Sequence, residues 1–233
     1  MKNILLQGFE ELGISAPETA CDALKTYFEC LEEKNKVMNL TAISGEEDVA
    51  RLHFLDCAAM LKSVDLEGKR VIDVGTGAGF PGMVLKILVP SAEFTLLDSL
   101  NKRIDFLARV SEKLELEGID CVHARAEEAA AEMGGTFDVA TSRAVARLNV
   151  LCELCLPFLK VGGVFAAMKG PDCAEELKEA ENAIKILGGR VKETVSYTIP
   201  GTDISHSIVL IEKIKPTHPK YPRKWAQIKK QPL

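Results

Sequence analysis

Between Lys69 and Glu212 the chain alternates short apolar runs with helix-patterned stretches, and this alternation restricts the fold more than any other feature. The runs RVIDVG, AEFTLLD, DCVHA, FDVATSRA and GVFAAMKG read as strands. Between them PGMVLKIL, LNKRIDFLARVSEKLEL, AEEAAAEM and VLCELCLPFL read as helices. Strands joined by helical crossovers pair in parallel, which predicts an α/β fold with a doubly wound, Rossmann-like sheet. Pro81 opens the first crossover helix, a favoured first-turn position. Gly162 and Gly163 are expected to close the fourth, and CAEELKEAENAIKIL is a further helix ending at Gly188 and Gly189. The last two strands, RVKETVSYTI and HSIVLIEKI, have no helix between them. They are expected to form a hairpin, with an antiparallel edge strand on an otherwise parallel sheet.

Residues 1–65 read as helices instead. Leu24, Tyr27, Phe28 and Leu31 recur at helical spacing, as do Leu52, Leu55 and Ala59. The segment KNKVMNLTAIS from Lys34 breaks the period and is expected to join two helices. The expected organisation is an N-terminal helical extension (1–65), a cofactor-binding domain (66–213) and a basic tail (214–233).

At 233 residues, 47% hydrophobic and 27% charged, the composition excludes a disordered chain and a disulfide scaffold. No apolar run approaches the roughly 18 residues that span a bilayer, and Glu10 and Glu11 interrupt the N-terminal apolar stretch as no signal peptide would. A cytoplasmic location is expected. The seven cysteines are odd in number and scattered, as in a reducing compartment. Cys152 and Cys155 have CxxC spacing but lie inside LNVLCELCLPFL, with no second pair or nearby His. They read as a buried helix face, and no metal site is expected.

Charge is distributed unevenly. All 34 acids and 22 of the 29 Lys and Arg lie at or before Glu212, so the body is near −12 and the last 21 residues near +7. A basic tail draws polyanions by counterion release. Tyr221 and Trp225 sit among these cations, as base stacking requires, although a plain solubilising tail would carry the same charge.

The most informative stretch is Val71 to Gly82, VIDVGTGAGFPG, in which an apolar strand feeds a glycine-rich turn and then a helix. The next strand ends at Asp98, 23 residues beyond Gly75, where an acid can accept hydrogen bonds from ribose hydroxyls. This is an adenosine site. Gly77, Gly79 and Gly82 match GxGxxG, but the match begins two residues late; from Gly75 the pattern is GxGxG, commoner in methyltransferases. Asp73, at the carboxyl end of the strand, would repel a dinucleotide's pyrophosphate and attract the ammonium and sulfonium of S-adenosylmethionine. A P-loop is excluded because no GK[ST] follows the glycines. A nicotinamide oxidoreductase remains the competing enzyme reading, and a non-catalytic RNA-binding module the competing non-enzyme reading.

DVGTGAGFPG, LLDSLNKRIDFL, HARAEE and TSRAVARL together resemble the glucose-inhibited-division protein B family, bacterial 16S ribosomal RNA guanine-N7 methyltransferases. The resemblance extends to NLTAI (39–43), HFLD (53–56), MKG (168–170) and KYPRK (220–224), and so covers nearly the whole chain. Cys57 departs from the Ser usual after the acid. The resemblance implies S-adenosyl-L-methionine as the cofactor, with Gly75 and Phe80 on its methionine and adenosine side, Asp98 at the ribose, and Ala126 and Glu127 at the adenine edge. Asp73 and Gly77, read from the loop itself, are further candidates for the same site. It places Arg143 at the cofactor beside the substrate entrance. The implied partner is 16S ribosomal RNA or the small subunit, met by a monomer. Arg147, Lys169, Lys220, Arg223 and Lys224 are the candidate RNA contacts, with ion pairing to the acidic body the alternative for Arg147 and Lys169. Guanine N7 carries an in-plane lone pair and no proton, so no general base is needed, and positioning is expected to supply the rate. Asn39 to Ile43 and His53 carry family features with no role that the residues themselves reveal.

Overall fold

The computed structural model describes residues 1–233. Two helices, α1 (Lys2–Leu12) and α2 (Ala20–Met38), open the chain. A continuous helical stretch follows: α3 (Glu46–Val49), a π-helical turn (Ala50–Leu55), α4 (Asp56–Ala58) and a 3-10 turn (Ala59–Lys62). α2 runs through Lys34, where the apolar period breaks, and stops only at Asn39, whose φ of 48° is left-handed. Polar residues on the last turn erase the pattern without ending the helix. The Asn35 amide braces that turn, donating to the Thr41 carbonyl at 2.9 Å and accepting the Thr41 N–H at 3.0 Å.

The remaining elements alternate as expected: β1 (Arg70–Val74), α5 (Gly82–Leu88), β2 (Glu93–Asp98), α6 (Asn101–Lys113), β3 (Ile119–His123), α7 (Ala126–Met133), β4 (Phe137–Arg143), α8 (Leu148–Cys155), β5 (Leu159–Lys169), α9 (Ala174–Ile186), β6 (Gly189–Thr198) and β7 (Ser205–Lys213), with α10 (Trp225–Lys230) in the tail. The seven strands are ordered β3-β2-β1-β4-β5-β7-β6. β1 to β5 pair in parallel, and β7 runs antiparallel between β5 and the outermost β6.

One helix boundary differs from expectation. α8 ends at Cys155, not at Gly162, because Pro157 has no N–H to continue the ladder, and β5 begins at Leu159. The two glycines lie inside β5, where pairing with β4 shifts register. A Cβ on Gly163 would stand 2.8 Å from the Asp138 carbonyl, so glycine permits a close approach of strands instead of capping a helix.

Helices cover both faces of the sheet. On one face α1, α2, the 46–62 stretch, α5 and α6 share a core that includes Tyr27, Phe54, Met83 and Leu107. The other core joins α7, α8 and α9 to the tail, through Ile228 of α10 with Tyr221 and Trp225 packed beside it. Cys152 and Cys155 are fully buried on α8, where burial raises both thiols, leaving them protonated. No helix is long and apolar enough to cross a membrane.

Candidate active site

The glycine loop follows β1 directly. Gly75, Gly77 and Gly79 adopt φ of 74°, 62° and 106°, conformations costly for side chains. The Gly75 and Thr76 N–H groups donate to the Leu97 carbonyl of β2, at 2.8 and 3.0 Å. From the N-terminal layer, the fully buried Tyr27 hydroxyl donates to the Ala78 carbonyl. Asp73 completes the brace: its Oδ2 accepts the Thr76 hydroxyl at 2.7 Å and the Gly82 N–H at 2.8 Å. The carboxyl is fully buried behind the loop, with Oδ1 unpartnered, and burial pushes it up to about 6 despite those two bonds. Asp73 therefore does not line the ligand cavity, and the expectation that it meets a cofactor directly is corrected: at this depth it shapes the loop.

A cavity of about 540 Å³ opens at the carboxyl ends of β1, β2 and β4, where the strand order reverses. Gly75, Gly77, Phe80, Asp98, Ala126, Glu127 and Arg143 all line it. Asp98 is buried at the end of β2. Its Oδ2 accepts the Gly77 N–H at 2.9 Å and Arg103 Nη1 at 3.2 Å, and its Oδ1 the Leu100 N–H at 2.9 Å. The carboxylate is thus oriented before any ligand arrives. A Cβ on Gly75 would stand 2.7 Å from a Val145 methyl, and its φ of 74° disfavours any side chain, so both packing and backbone favour glycine here.

A second cavity of about 590 Å³ adjoins the first, and the two share His53, Arg143, Ala144 and Val145. Arg143, at the end of β4, is held from three sides. Its Nη1 donates to Asp56 Oδ2 at 2.7 Å and to the Leu52 carbonyl at 3.2 Å, and its Nη2 to His53 Nδ1 at 2.8 Å. The guanidinium lies 4.9 Å over the Phe80 ring, on which His53 also stacks at 4.2 Å. Asp56, 1% exposed, takes two more bonds on Oδ1, from Tyr197 at 2.7 Å and His206 at 2.8 Å. Burial alone would raise Asp56, but the His206 bond, the Arg143 charge and the Tyr197 bond outweigh it and hold the carboxyl low. The bond to Asp56 likewise raises His206.

Sequence reasoning left His53 and Asn39 to Ile43 without a role; the network supplies one. Arginine has no lone pair, so His53 Nδ1 must accept from Arg143, and the proton resides on Nε2, facing Thr41 Oγ1 at 2.8 Å. Burial and the neighbouring Arg143 press His53 down to about 3, so the imidazole is neutral and engaged on both nitrogens. The π-helical turn brings His53 and Asp56 to the same guanidinium. No local spacing rule anticipates that, although the NLTAI and HFLD motifs mark the right segments.

Linkage fixes the sign of the pH effect. Between pH 3 and 6.5 the unfolded chain protonates His53 and the folded chain does not, so stability falls as pH drops through this window. The slope attributable to His53 is at most about 1.4 kcal/mol per pH unit. Urea unfolding of wild type and His53→Gln from pH 7 to 4.5 should show a shallower decline in the variant. Parallel declines would exclude a buried neutral His53.

The candidate RNA contacts are dispersed. Arg147 and Lys169 line the second cavity but are paired, Arg147 with Glu179 and Lys169 with Glu176, both at 2.6 Å. Lys220 and Lys224 are exposed. Arg223 is not available as an RNA contact. Its N–H and Nε donate to Glu153 Oε1 at 2.9 and 2.8 Å, and its Nη2 to Oε2 at 2.6 Å, where Glu153 is a fully buried acid within the apolar face of α8. Lys213 is also internal, bonded to the Leu187 carbonyl at 2.6 Å and lowered by burial to about 8. The tail is therefore less charged outwardly than its composition suggests. Its anchor carries Trp225 to the wall of the first cavity, beside Leu154, a placement that the aromatic-among-cations reading does not anticipate.

Comparison with known proteins places the chain in a family. The family model described as rRNA small subunit methyltransferase G matches residues 20–205. The chain is 50% identical over 235 residues to ribosomal RNA small subunit methyltransferase G of Alkaliphilus metalliredigens (strain QYMF), covering 100% of this chain and 98% of that one. It is 46% identical over 234 residues to the same-named protein of Clostridium tetani (strain Massachusetts / E88), covering 99% and 98%. Among solved structures, a SAM-dependent methyltransferase from Aquifex aeolicus superposes with a TM-score of 0.53 at 19% identity, over 72% of this chain and 94% of that one. M. jannaschii TYW2 in complex with AdoMet gives 0.55 at 15% identity, over 74% and 80%. These two likenesses speak for the fold alone. Identity over the full length of the curated relatives says more, and with the family model it shows that the chain belongs to the rRNA small subunit methyltransferase G family.

Proposed function

We propose that the chain transfers the methyl group of S-adenosyl-L-methionine to N7 of a guanosine in 16S ribosomal RNA. It acts as a cytoplasmic monomer, on the RNA or on the small ribosomal subunit. The observation that carries this reading is the pair of adjoining cavities that meet at Arg143, one built on the glycine loop and Asp98 and the other open beside it. The first fits the cofactor: Asp98 is preset for ribose hydroxyls, Ala126 and Glu127 flank the adenine position, and Gly75 leaves the loop side free of any Cβ. Bound there, the cofactor supplies an electrophilic methyl on sulfur.

The chain's own residues then need only to orient and to exclude water. Arg143 is pinned by Asp56, Leu52 and His53, so it presents a fixed cation on the wall between cofactor and base. His53 has both nitrogens occupied and is a positioning residue, in keeping with chemistry at a nitrogen that carries no proton. Holding N7 in line with the methyl carbon is worth several orders of magnitude in rate. Exposed Arg147, Lys220 and Lys224 are suited to phosphates, where the paired Arg147 would exchange Glu179 for RNA.

Transfer of labelled methyl to small-subunit RNA, with the modified nucleoside identified by mass spectrometry, tests the reading. A single 7-methylguanosine is expected, and a different modified position would refute it. Asp98→Ala removes charge-assisted ribose contacts worth about 2–4 kcal/mol, so cofactor affinity by calorimetry should fall roughly 30- to 1000-fold. An unchanged affinity would remove Asp98 from the site.

A further inference from the structure

We infer that Lys169 and Glu176 read the Watson–Crick edge of the target guanine in the second cavity, and that this pair sets the base specificity of the enzyme. The inference rests on the guanosine reading above. Both side chains line only the second cavity, not the cofactor cavity, and they come from different elements: Lys169 ends β5 and Glu176 lies in the first turn of α9. Their ion pair, 2.6 Å between Nζ and Oε2, is held at both ends by one short segment of backbone. Lys169 Nζ donates to the Ala146 carbonyl at 2.8 Å, and Glu176 Oε2 accepts the Leu148 N–H at 2.9 Å. Lys169 is 9% exposed and Glu176 27%, so the pair is walled in but open towards the cavity.

The tethering leaves a specific residue of hydrogen-bonding capacity. Two of the three Lys169 protons are committed, and one remains. Both protein donors to Glu176 fall on Oε2, so Oε1 remains as an acceptor. Burial raises Glu176, but the Lys169 bond and charge dominate and keep the carboxyl ionised. The cavity wall therefore presents a donor beside an acceptor. Guanine carries the complement, the O6 acceptor next to the N1–H donor. Adenine carries the reverse, an amino donor next to the N1 lone pair, and would set donor against donor and lone pair against carboxylate. Uracil shares guanine's pattern but has no N7. With the Watson–Crick edge seated on Lys169 and Glu176, the separate edge bearing N7 is free to face the shared wall at Arg143. Flipped bases are commonly read in this way, through their pairing edge. The MKG motif at 168–170, which the cofactor cavity leaves unexplained, acquires a role as the segment that presents Lys169.

The test compares two RNAs that differ only at the target nucleoside, guanosine or 2-aminopurine riboside. 2-Aminopurine keeps N7 but lacks both O6 and N1–H. Wild type should prefer guanosine by about 100-fold or more in kcat/KM, the scale on which sites built around substrate hydrogen bonds reject analogues that lack them. In Glu176→Gln, which keeps an acceptor for the Leu148 N–H, and in Lys169→Met, that preference should fall about tenfold or more. Calorimetric affinity for S-adenosylmethionine should stay within about twofold of wild type in both, which also reports intact folding. A guanosine preference equal to wild type in both variants would overturn the assignment, because a merely structural pair would depress the two rates together. A wild-type enzyme that makes no 7-methylguanosine from the guanosine RNA would overturn the guanosine reading itself, and this inference with it.

Discussion

Asp56→Ala is expected to lower the stability of this methyltransferase by about 3–5 kcal/mol, the usual cost of removing one partner from a buried ion pair. For a chain of this size that is a fall in Tm of roughly 6–20 °C. The physical reason is what remains behind. Arg143 keeps its charge in a largely buried position, the Tyr197 hydroxyl loses its acceptor, and His206 loses the group that raises its proton affinity. Asp56→Asn keeps the shape and one acceptor oxygen, and should cost less. Activity should fall further than cofactor binding does. Arg143 forms wall common to both cavities, and a displacement of about 1 Å there costs on the order of 100-fold in turnover. Calorimetric unfolding together with single-turnover methyl transfer would check both parts. A variant with wild-type Tm and turnover would mean that Asp56 does not hold Arg143.

The second large effect is expected at Arg223→Ala. Glu153 is fully buried, and every hydrogen bond it receives comes from Arg223; truncation removes the guanidinium's charge and its two bonds and leaves only the backbone N–H on a buried acid in α8. The fold must either bear that charge or release the tail to hydrate it, and either outcome costs up to about 3–5 kcal/mol. Release would also withdraw Trp225 from the cofactor cavity, so weaker S-adenosylmethionine binding should accompany the loss of stability. Arg223→Lys keeps the charge without the planar fork and should fall between the two. If Arg223→Ala unfolds within 1 °C of wild type and binds cofactor normally, the tail is not the structural strap that its contacts describe.

The contrast between Arg223 and Asp98 shows where sequence reading succeeds and where it stops. The position of Asp98 at the cavity is legible because it follows from short-range order: strand, glycine turn, helix, strand, acid. Each step there is fixed by backbone geometry that local sequence encodes, which brings Gly75, Gly77 and Asp98 to one cavity; Phe80, Ala126, Glu127 and Arg143, which line it too, are indicated only by the family resemblance. Arg223 looks like a free cation because its partner lies 70 residues earlier, a single acid in an apolar helix. Asp73 fails differently. Its position beside the loop is legible, but whether a carboxylate turns towards a ligand or behind the loop depends on Thr76 and Gly82, and on its depth in the core.

Periodicity, glycine punctuation and the spacing of Asp98 from Gly75 thus determine by themselves the doubly wound sheet, the cavity at its switch point and the burial of Cys152 and Cys155 on α8. Only the tertiary structure decides which charges are spent internally: Asp56 on Arg143, Glu153 on Arg223, Glu176 on Lys169. Those pairings join residues 87, 70 and 7 positions apart. Two come from long-range packing, and the third forms across the turn between β5 and α9. A charge has no periodic signature, and its energy depends on the dielectric and on the partners that folding brings to it.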